Sequence, residues 1–342
     1  MLQQIPHQPP THPTSMAQGQ HVATGEAHGK AILLGEHAAI YGAPALALPL
    51  QALRCRVTVR SSPASTAGAS RLYLVTPGPR GATEETARAV PEEFLLLLSA
   101  FAERAGLGAP PAVDIHLDSR VPPSSGLGSS AASARALVRA LDAFFATGLD
   151  EQTIFDLVQV SEQSAHGMAS GIDALATGSE RPILLAGGRL RTPLVGAGFH
   201  LVVADSGSGA STRKAVGMLR DAFARNPNGR TRFVRRSTAL TEAALEDLAA
   251  GRLPALGRHL TDCHAMLADL GLTTDRTNAL AHMALDAGAL GAKMTGGGLG
   301  GCVVALTTTA AQAASVSTTL AGRTGARTWT AAVTKEAEHD CP

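Results

Sequence analysis

Two carboxylates, one lysine and two glycine-rich loops carry the chemistry that can be read from this sequence. The first loop is Pro122-Pro123-Ser124-Ser125-Gly126-Leu127-Gly128-Ser129-Ser130-Ala131-Ala132. It follows an alternating strand and opens an amphipathic helix. Glycines let backbone come close to a ligand. The free N–H groups of a helix start then face one point, which suits a phosphate. Ser129 and Ser130 can cap the helix, donate to phosphate or ligate Mg²⁺. A plain Gly/Ser turn with a capping serine fits this loop equally well. No GKS or GKT follows it, and the G-x-G-x-x-G spacing of a dinucleotide loop fails.

The second loop is Lys293-Met294-Thr295-Gly296-Gly297-Gly298-Leu299-Gly300-Gly301-Cys302. So many glycines are costly to order. Close approach to a ligand or to another backbone explains them better than a structural hairpin does. A third segment runs from Gly29-Lys30 through the apolar Ala31 to Leu34 to Gly35-Glu36-His37 and Tyr41-Gly42. Lysine is usually a solvated surface group. Directly against a strand this apolar, it suits an internal cation beside anionic phosphates. The carboxylates are Glu162, on a helix, and Asp173, flanked by Ile172, Ala174 and Leu175. A carboxylate in apolar surroundings needs a cation or donors. Asp173 reads equally as a catalytic group or as a helix cap. Two anion-cradling loops, a near-buried lysine and two carboxylates are together the parts of a phosphoryl transferase, which must position phosphates, hold Mg²⁺ and orient an attacking hydroxyl.

The elements that position these residues follow from periodicity. Residues 53–59 alternate apolar and polar, as do 113–117, and both read as half-buried strands. A helix over 91–104 has Pro at its first turn and Gly106 beyond its end. The helix opened by the first loop places Leu137, Val138, Leu141, Phe144 and Phe145 on one face. Further helices are expected over 154–168, 213–224, 240–250, 253–270 and 278–288, strand-like pieces over 182–203, and a strand over 302–306. Segments 61–70 and 77–80 read as loop and turn. Strands and helices mix without a regular βαβ rhythm, so the expected class is α+β. The expected division is a tail over 1–20, one domain over 21–185 holding the phosphate loop and Asp173, and a second over 186–342, with the boundary near 179–195.

Composition sets limits. The chain has 342 residues, 45 % hydrophobic and 17 % charged, with net charge +1. That is an ordinary globular balance, and its near-neutrality argues against nucleic acid or an anionic membrane as partner. Aromatics are only 3 %, so the core must rest on Ala, Val and Leu. Cys55, Cys263, Cys302 and Cys341 match no CxxC pattern and read as reduced cytoplasmic thiols. Apolar runs are too short to span a bilayer. Segment 1–20 holds four Pro and five Gln. It fits a disordered tail, with His7 and His12 solvated, rather than a signal peptide.

Segments 29–42, 122–132 and 293–302 together resemble the GHMP kinase superfamily, and the likeness spans nearly all of the chain after the tail. Within it, Gly35-Glu36-His37 with Tyr41-Gly42-Ala43-Pro44-Ala45, Ala204-Asp205-Ser206-Gly207 leading to Ser211-Thr212-Arg213-Lys214, and Leu270-Gly271-Leu272-Thr273 are most similar to members that phosphorylate mevalonate. The resemblance implies a two-domain α+β fold: an N-terminal domain like ribosomal protein S5 domain 2 and a ferredoxin-like C-terminal domain, with ATP in the cleft between them. It implies Asp173 as general base or as the group orienting the acceptor hydroxyl, with Lys30 beside it stabilising the alkoxide and the γ-phosphate. Ser130 and Glu162 would hold Mg²⁺. Ser124, Ser125, Gly126, Leu127, Gly128, Ser129 and Ser130 would cradle the ATP phosphates, Ser119 would lie near the nucleotide, and Gly296, Gly297 and Gly298 would close over them. Glu36, His37 and Thr212 would face mevalonate. Ser133, Thr261 and Cys263 stand where members often carry Tyr or Asn, and Ala210 where some carry a basic residue. Kinases of 5-phosphomevalonate or homoserine, and a non-catalytic nucleotide-binding sensor, are the alternatives. A homodimer is compatible with the resemblance.

Overall fold

The computed structural model describes residues 21–61, 69–78, 82–167, 169–209 and 212–335. The tail with His7 and His12, most of the 61–70 loop, Arg80, Met168, Ala210, Ser211 and Cys341 lie outside the described residues.

In chain order the first sheet-forming region comprises β1 (Val22–Leu34), β2 (Ala45–Ser61), β3 (Arg71–Pro77), β4 (Thr83–Arg88), α1 (Glu92–Arg104), β5 (Val113–Ser119), α2 (Ser129–Phe145), α3 (Glu151–His166), α4 (Ile172–Ala176), β6 (Ile183–Ala186) and β7 (Arg189–Arg191). Then follow β8 (Phe199–Asp205), α5 (Thr212–Arg225), α6 (Pro227–Ala249), α7 (Leu253–Asp269), α8 (Asp275–Asp286), β9 (Gly291–Thr295), β10 (Cys302–Thr307), α9 (Ala310–Thr324) and β11 (Thr328–Val333).

The strands form two sheets. In the first, the order is β4-β3-β5-β2-β6-β7, with β1 paired to β2 off this path. The pair β3–β5 is parallel and the others are antiparallel. The second sheet has the order β11-β8-β10-β9, antiparallel throughout. With α8 and α9 among its connections this is a ferredoxin-like arrangement, and the whole is α+β. The first sheet's strands run to Arg191, so a division at 185/186 would cut β6.

Strand β2 is the long axis of the first sheet. It carries the expected alternation: Leu53, Cys55, Val57 and Val59 are buried while Arg54 and Arg56 are exposed. Its first half pairs with β6 and its second half with β5, while β1 lies along its full length. Helix α2 lies on β1 at backbone distance. A Cβ on Gly25 would meet the Ala136 carbonyl at 2.2 Å. The buried Ala132, Ala136 and Ala140 recur every fourth residue and present the smooth face that permits this approach. This is how an aromatic-poor chain packs a dense core.

The second sheet is covered on both faces. Val203, Cys302 and Val304 pack into the cluster under α1, α2 and α3, whereas Val202, Ala204, Val303 and Ala305 pack against α8 and α9. Strand alternation assigns one set to each face. The end of β1 (Leu33, Leu34) joins a third cluster with α5, α6 and α7. Strand β1 therefore touches both halves of the chain, and the residues at its end lie where the halves meet.

Candidate active site

A register shift between His28 and Gly29 precedes Lys30 in β1. The extra residues, 51–53, lie on β2, so β2 bulges opposite the point where β1 delivers Lys30. The Lys30 side chain is 1 % exposed. Its N–H donates to the Leu127 carbonyl at 2.9 Å, and its Nζ donates to the Gly126 carbonyl at 3.0 Å. The same Nζ stands 3.1 Å from Asp173 Oδ1. The lysine stem runs directly beneath the first loop. A Cβ on Gly128, whose φ is +74°, would meet Lys30 Cγ at 2.9 Å.

Asp173 sits in the first turn of α4. Ile172 and Ala176 of that short helix are buried among Ile32, Ala45 and Ala47, while Ala174 packs into the core under α2 and α3. From below, Thr177 Oγ1 donates to the Asp173 carbonyl at 3.0 Å, and the buried Arg135 donates to the Ala174 carbonyl at 3.1 Å. The backbone is thus held on its core side while the carboxylate faces the cleft, 32 % exposed.

The first loop ends on α2, whose first turn has Gly128 at the cap and no side-chain cap. Its leading N–H groups are therefore available to an anion. The second loop packs on the first backbone to backbone. A Cβ on Gly126 would meet the Thr295 carbonyl at 2.4 Å, and one on Gly296 would meet Gly126 Cα at 2.4 Å. Cys302 N–H donates to the Ser125 carbonyl at 2.9 Å. Of the two explanations for the glycines, approach to another backbone is the one these contacts show.

The cleft is a cavity of ≈ 530 Å³. Ser124, Ser125, Gly126, Gly128, Ser129, Ser130, Gly296, Gly297, Gly298, Lys30, Glu36, His37, Glu162, Asp173 and Thr212 all line it. Ser119 and Leu127 do not. The Ser119 hydroxyl accepts from Val121 N–H at 3.2 Å inside the turn after β5. The Leu127 side chain is fully buried in the core and its carbonyl accepts from Lys30 N–H, so this residue can offer a ligand only its backbone N–H. The expectation that Ser119 lies near the nucleotide is therefore corrected.

Glu162 is buried beside Ser130, whose hydroxyl is a hydrogen-bond partner of its carboxylate. Burial, with Asp173 as a nearby like charge, pushes the Glu162 carboxyl up to about 7. A dication there would restore the carboxylate. One serine hydroxyl and one carboxylate at the mouth of a phosphate loop is a donor set that fits Mg²⁺, which keeps waters and takes its remaining ligands from phosphate oxygens.

Glu36 occupies the cleft edge, but its Oε1 is bound by the buried Lys293 of β9. Glu36 thus lines the cleft with one of its carboxylate oxygens already held by a protein cation. His37 takes a left-handed backbone, φ +58°. It is buried, and its Nε2 has no hydrogen-bond partner. Burial, followed by the Lys293 charge, lowers its pKa to about 4, so its ring is neutral near pH 7. Thr212 starts α5 against the second loop, where a Cβ on Gly297 would meet its Oγ1 at 2.7 Å.

Two features, one in the cleft and one buried outside its lining, escaped the sequence reading. One is an apolar wall of Leu72, Leu74, Pro91, Phe94 and Leu117 at the β3–β5 side. The alternation of Leu72 and Leu74 was a usable strand signal. The other is Lys293, visible only as a lysine inside the buried strand Gly291–Thr295.

This fold and cleft define a small-molecule kinase. Two family models match: "GHMP kinases N terminal domain" over residues 93–180 and "GHMP kinases C terminal" over residues 244–325. The mevalonate kinase of Aeropyrum pernix is 31 % identical over 290 residues, 83 % of this chain and 88 % of that protein. The mevalonate kinase of Pyrococcus horikoshii is 29 % identical over 299 residues, covering 82 % and 87 %. A solved L. major mevalonate kinase in complex with R-mevalonate superposes with a TM-score of 0.73 at 24 % identity, covering 94 % of this chain and 97 % of that one. The chain belongs to the GHMP kinases, in the mevalonate kinase family, and is a kinase.

Proposed function

We propose that the chain transfers the γ-phosphate of ATP to the C5 hydroxyl of (R)-mevalonate, giving 5-phosphomevalonate and ADP for isoprenoid synthesis. The observation that carries this reading is the Lys30–Asp173 pair at 3.1 Å, set under a phosphate loop in the cleft. The apolar wall at Leu72, Leu74 and Phe94 suits a nucleobase. The uncapped start of α2 and the backbone of residues 124–129 suit the triphosphate. Ser130 and Glu162 would hold Mg²⁺, which would neutralise phosphate charge during transfer.

Asp173 Oδ1 accepts the hydroxyl proton as the oxygen attacks phosphorus. Lys30 faces the same point and stabilises the charge developing on that oxygen. ADP leaves with the bridging oxygen. Neutral His37 offers Nε2 to the acceptor, and Thr212 offers a hydroxyl. Preorganised donors of this kind favour the transition state because they do not reorganise during the step.

Acceptor charge favours mevalonate over its phosphate. Among the described residues, the Lys and Arg side chains lining the cleft are Lys30 and Arg88, and Arg88 lies with the apolar wall rather than near Asp173. Arg213 donates to the Ser164 carbonyl, and neither it nor Lys214 lines the cavity. An acceptor with a second phosphate would lack its cation. Phosphorus NMR of the product from ATP, Mg²⁺ and (R)-mevalonate tests the reading: a phosphomonoester resonance supports it, and ATP left unconsumed refutes it.

A further inference from the structure

Lys293 has no exposed surface. Its Nζ donates to the Met294 carbonyl at 2.6 Å, to the Ile32 carbonyl at 3.4 Å and to Glu36 Oε1. An ammonium has three donors, so all are engaged. Glu36 Oε2 meets Cys263 Sγ at 3.9 Å, and burial pushes that thiol up to about 12, which keeps it a donor. One cation thus ties β1, the turn after it and β9, the strand that delivers the second loop. Thr295 doubles the tie, since its Oγ1 accepts from Ile32 N–H at 2.8 Å and donates to the Ile32 carbonyl at 3.0 Å.

The position of this pair matters because of what lies above it. Glu36 precedes His37 directly, and both line the cleft with Lys30 and Asp173. Glu36, Glu93, Glu162 and Asp173 are four carboxylates lining a site that, on this reading, must accept ATP together with an acidic acceptor. Lys30 answers Asp173. Without Lys293, Glu36 would stand buried and uncompensated beside the acceptor.

We propose that Lys293 is a positioning residue that neutralises Glu36 and holds it below the cleft, so that an acceptor bearing a carboxylate can bind over His37. This deepens the mevalonate reading and rests on it. Lys293 touches neither reactant. It acts through Glu36 and through the Gly35–His37 turn, whose left-handed backbone needs a fixed support.

Removing one partner of a buried ion pair costs far more than replacing both, because the survivor is left charged and unpaired. The test is therefore a cycle. Steady-state kinetics with each substrate varied, and a melting curve, are measured for wild type, Lys293→Met, Glu36→Gln and the double variant. In Lys293→Met the KM for mevalonate should rise by roughly tenfold or more, kcat should fall by less, and the KM for ATP should hold within about twofold. The double variant should recover most of the mevalonate KM. A merely structural role would move both KM values or kcat together with the melting temperature, rather than the mevalonate KM alone.

An unchanged mevalonate KM in Lys293→Met overturns the inference, as does a folded double variant that stays as impaired as the single one. Should Lys293→Met fail to fold, the double variant decides: near-normal mevalonate KM supports the inference, and impairment or unfolding contradicts it. A wild-type chain inactive on mevalonate overturns the acceptor reading and the inference with it. Wild-type activity with a failed cycle overturns the inference alone.

Discussion

Lys30 and Asp173 meet at 3.1 Å across the edge of the dry core: the lysine side chain is 1 % exposed and the aspartate 32 %. The cation is fixed by the Gly126 carbonyl, and the anion rides on a helix whose core side is pinned by Thr177 and Arg135. The pair therefore has little freedom, yet its carboxylate can reach a ligand. On the proposed reading, a hydroxyl entering the cleft would meet a carboxylate and a cation already in place, which is the condition for positioning to lower a barrier.

Replacing Asp173 by Asn keeps the shape and removes the proton acceptor. The expected outcome is a fall in kcat of at least roughly 10² with ATP still bound. Single-turnover kinetics beside nucleotide titration check it.

Lys30→Met should cost more than kcat. The lysine also supports the first loop through Gly126 and Gly128. Turnover should fall by roughly 10² or more, and ATP affinity should weaken as well. Asp173→Asn should leave ATP affinity in place, so the two variants separate by nucleotide titration.

Glu162 links metal, pH and stability. Its carboxyl is raised from 4.5 to about 7. The folded state therefore holds that proton more tightly than the unfolded chain does. Without metal, the stability from this group is full below pH 4.5 and is lost as pH rises toward 7. Glu162→Gln should then raise the melting temperature of the nucleotide-free protein at pH 8, by about 1–3 kcal/mol of stability, while demanding more Mg²⁺ for turnover. Thermal scans and a Mg²⁺ titration at that pH read both effects.

His37 and His264 run the other way. Burial and the Lys293 charge lower both to about 4 from 6.5. The unfolded chain then binds protons the folded state refuses, so stability present above pH 6.5 should be lost as pH falls toward 4. Denaturant midpoints across that range, with His264→Asn as the comparison, measure its share.

Gly126→Ala tests the loop contact. Its Cβ would press on the Thr295 carbonyl at 2.4 Å, at a residue with φ +81°. The expected cost is about 1–3 kcal/mol, from overpacking and backbone strain, with weakened ATP binding. Calorimetric titration with ATP checks it.

Much of this site was legible because its parts are local. A Gly/Ser loop before an amphipathic helix, a lysine at a buried strand and an aspartate among apolar residues each show in a short window. Helix α2 and strand β10 followed from periodicity. Helix α6 was expected over 240–250 but begins at Pro227, because its first turns carry Arg230, Arg232, Arg235 and Arg236 around only a few buried positions. Strand β4 lacks the apolar alternation that marks a strand and is exposed throughout, whereas β11 alternates at Trp329, Ala331 and Val333 over only six residues. What no window could show is pairing at long range. Lys293 and Glu36 are 257 residues apart, and their pairing exists only once β1 and β9 lie together. Ser119 shows the converse: a sequence neighbour of the first loop, it is tied by the local fold into the turn after β5.

The most direct test of the account is ADP release from Mg·ATP with mevalonate, 5-phosphomevalonate, homoserine and galactose run side by side. Turnover on mevalonate alone is the predicted result. Turnover on 5-phosphomevalonate instead, or silence on all four with ATP binding intact, would contradict it.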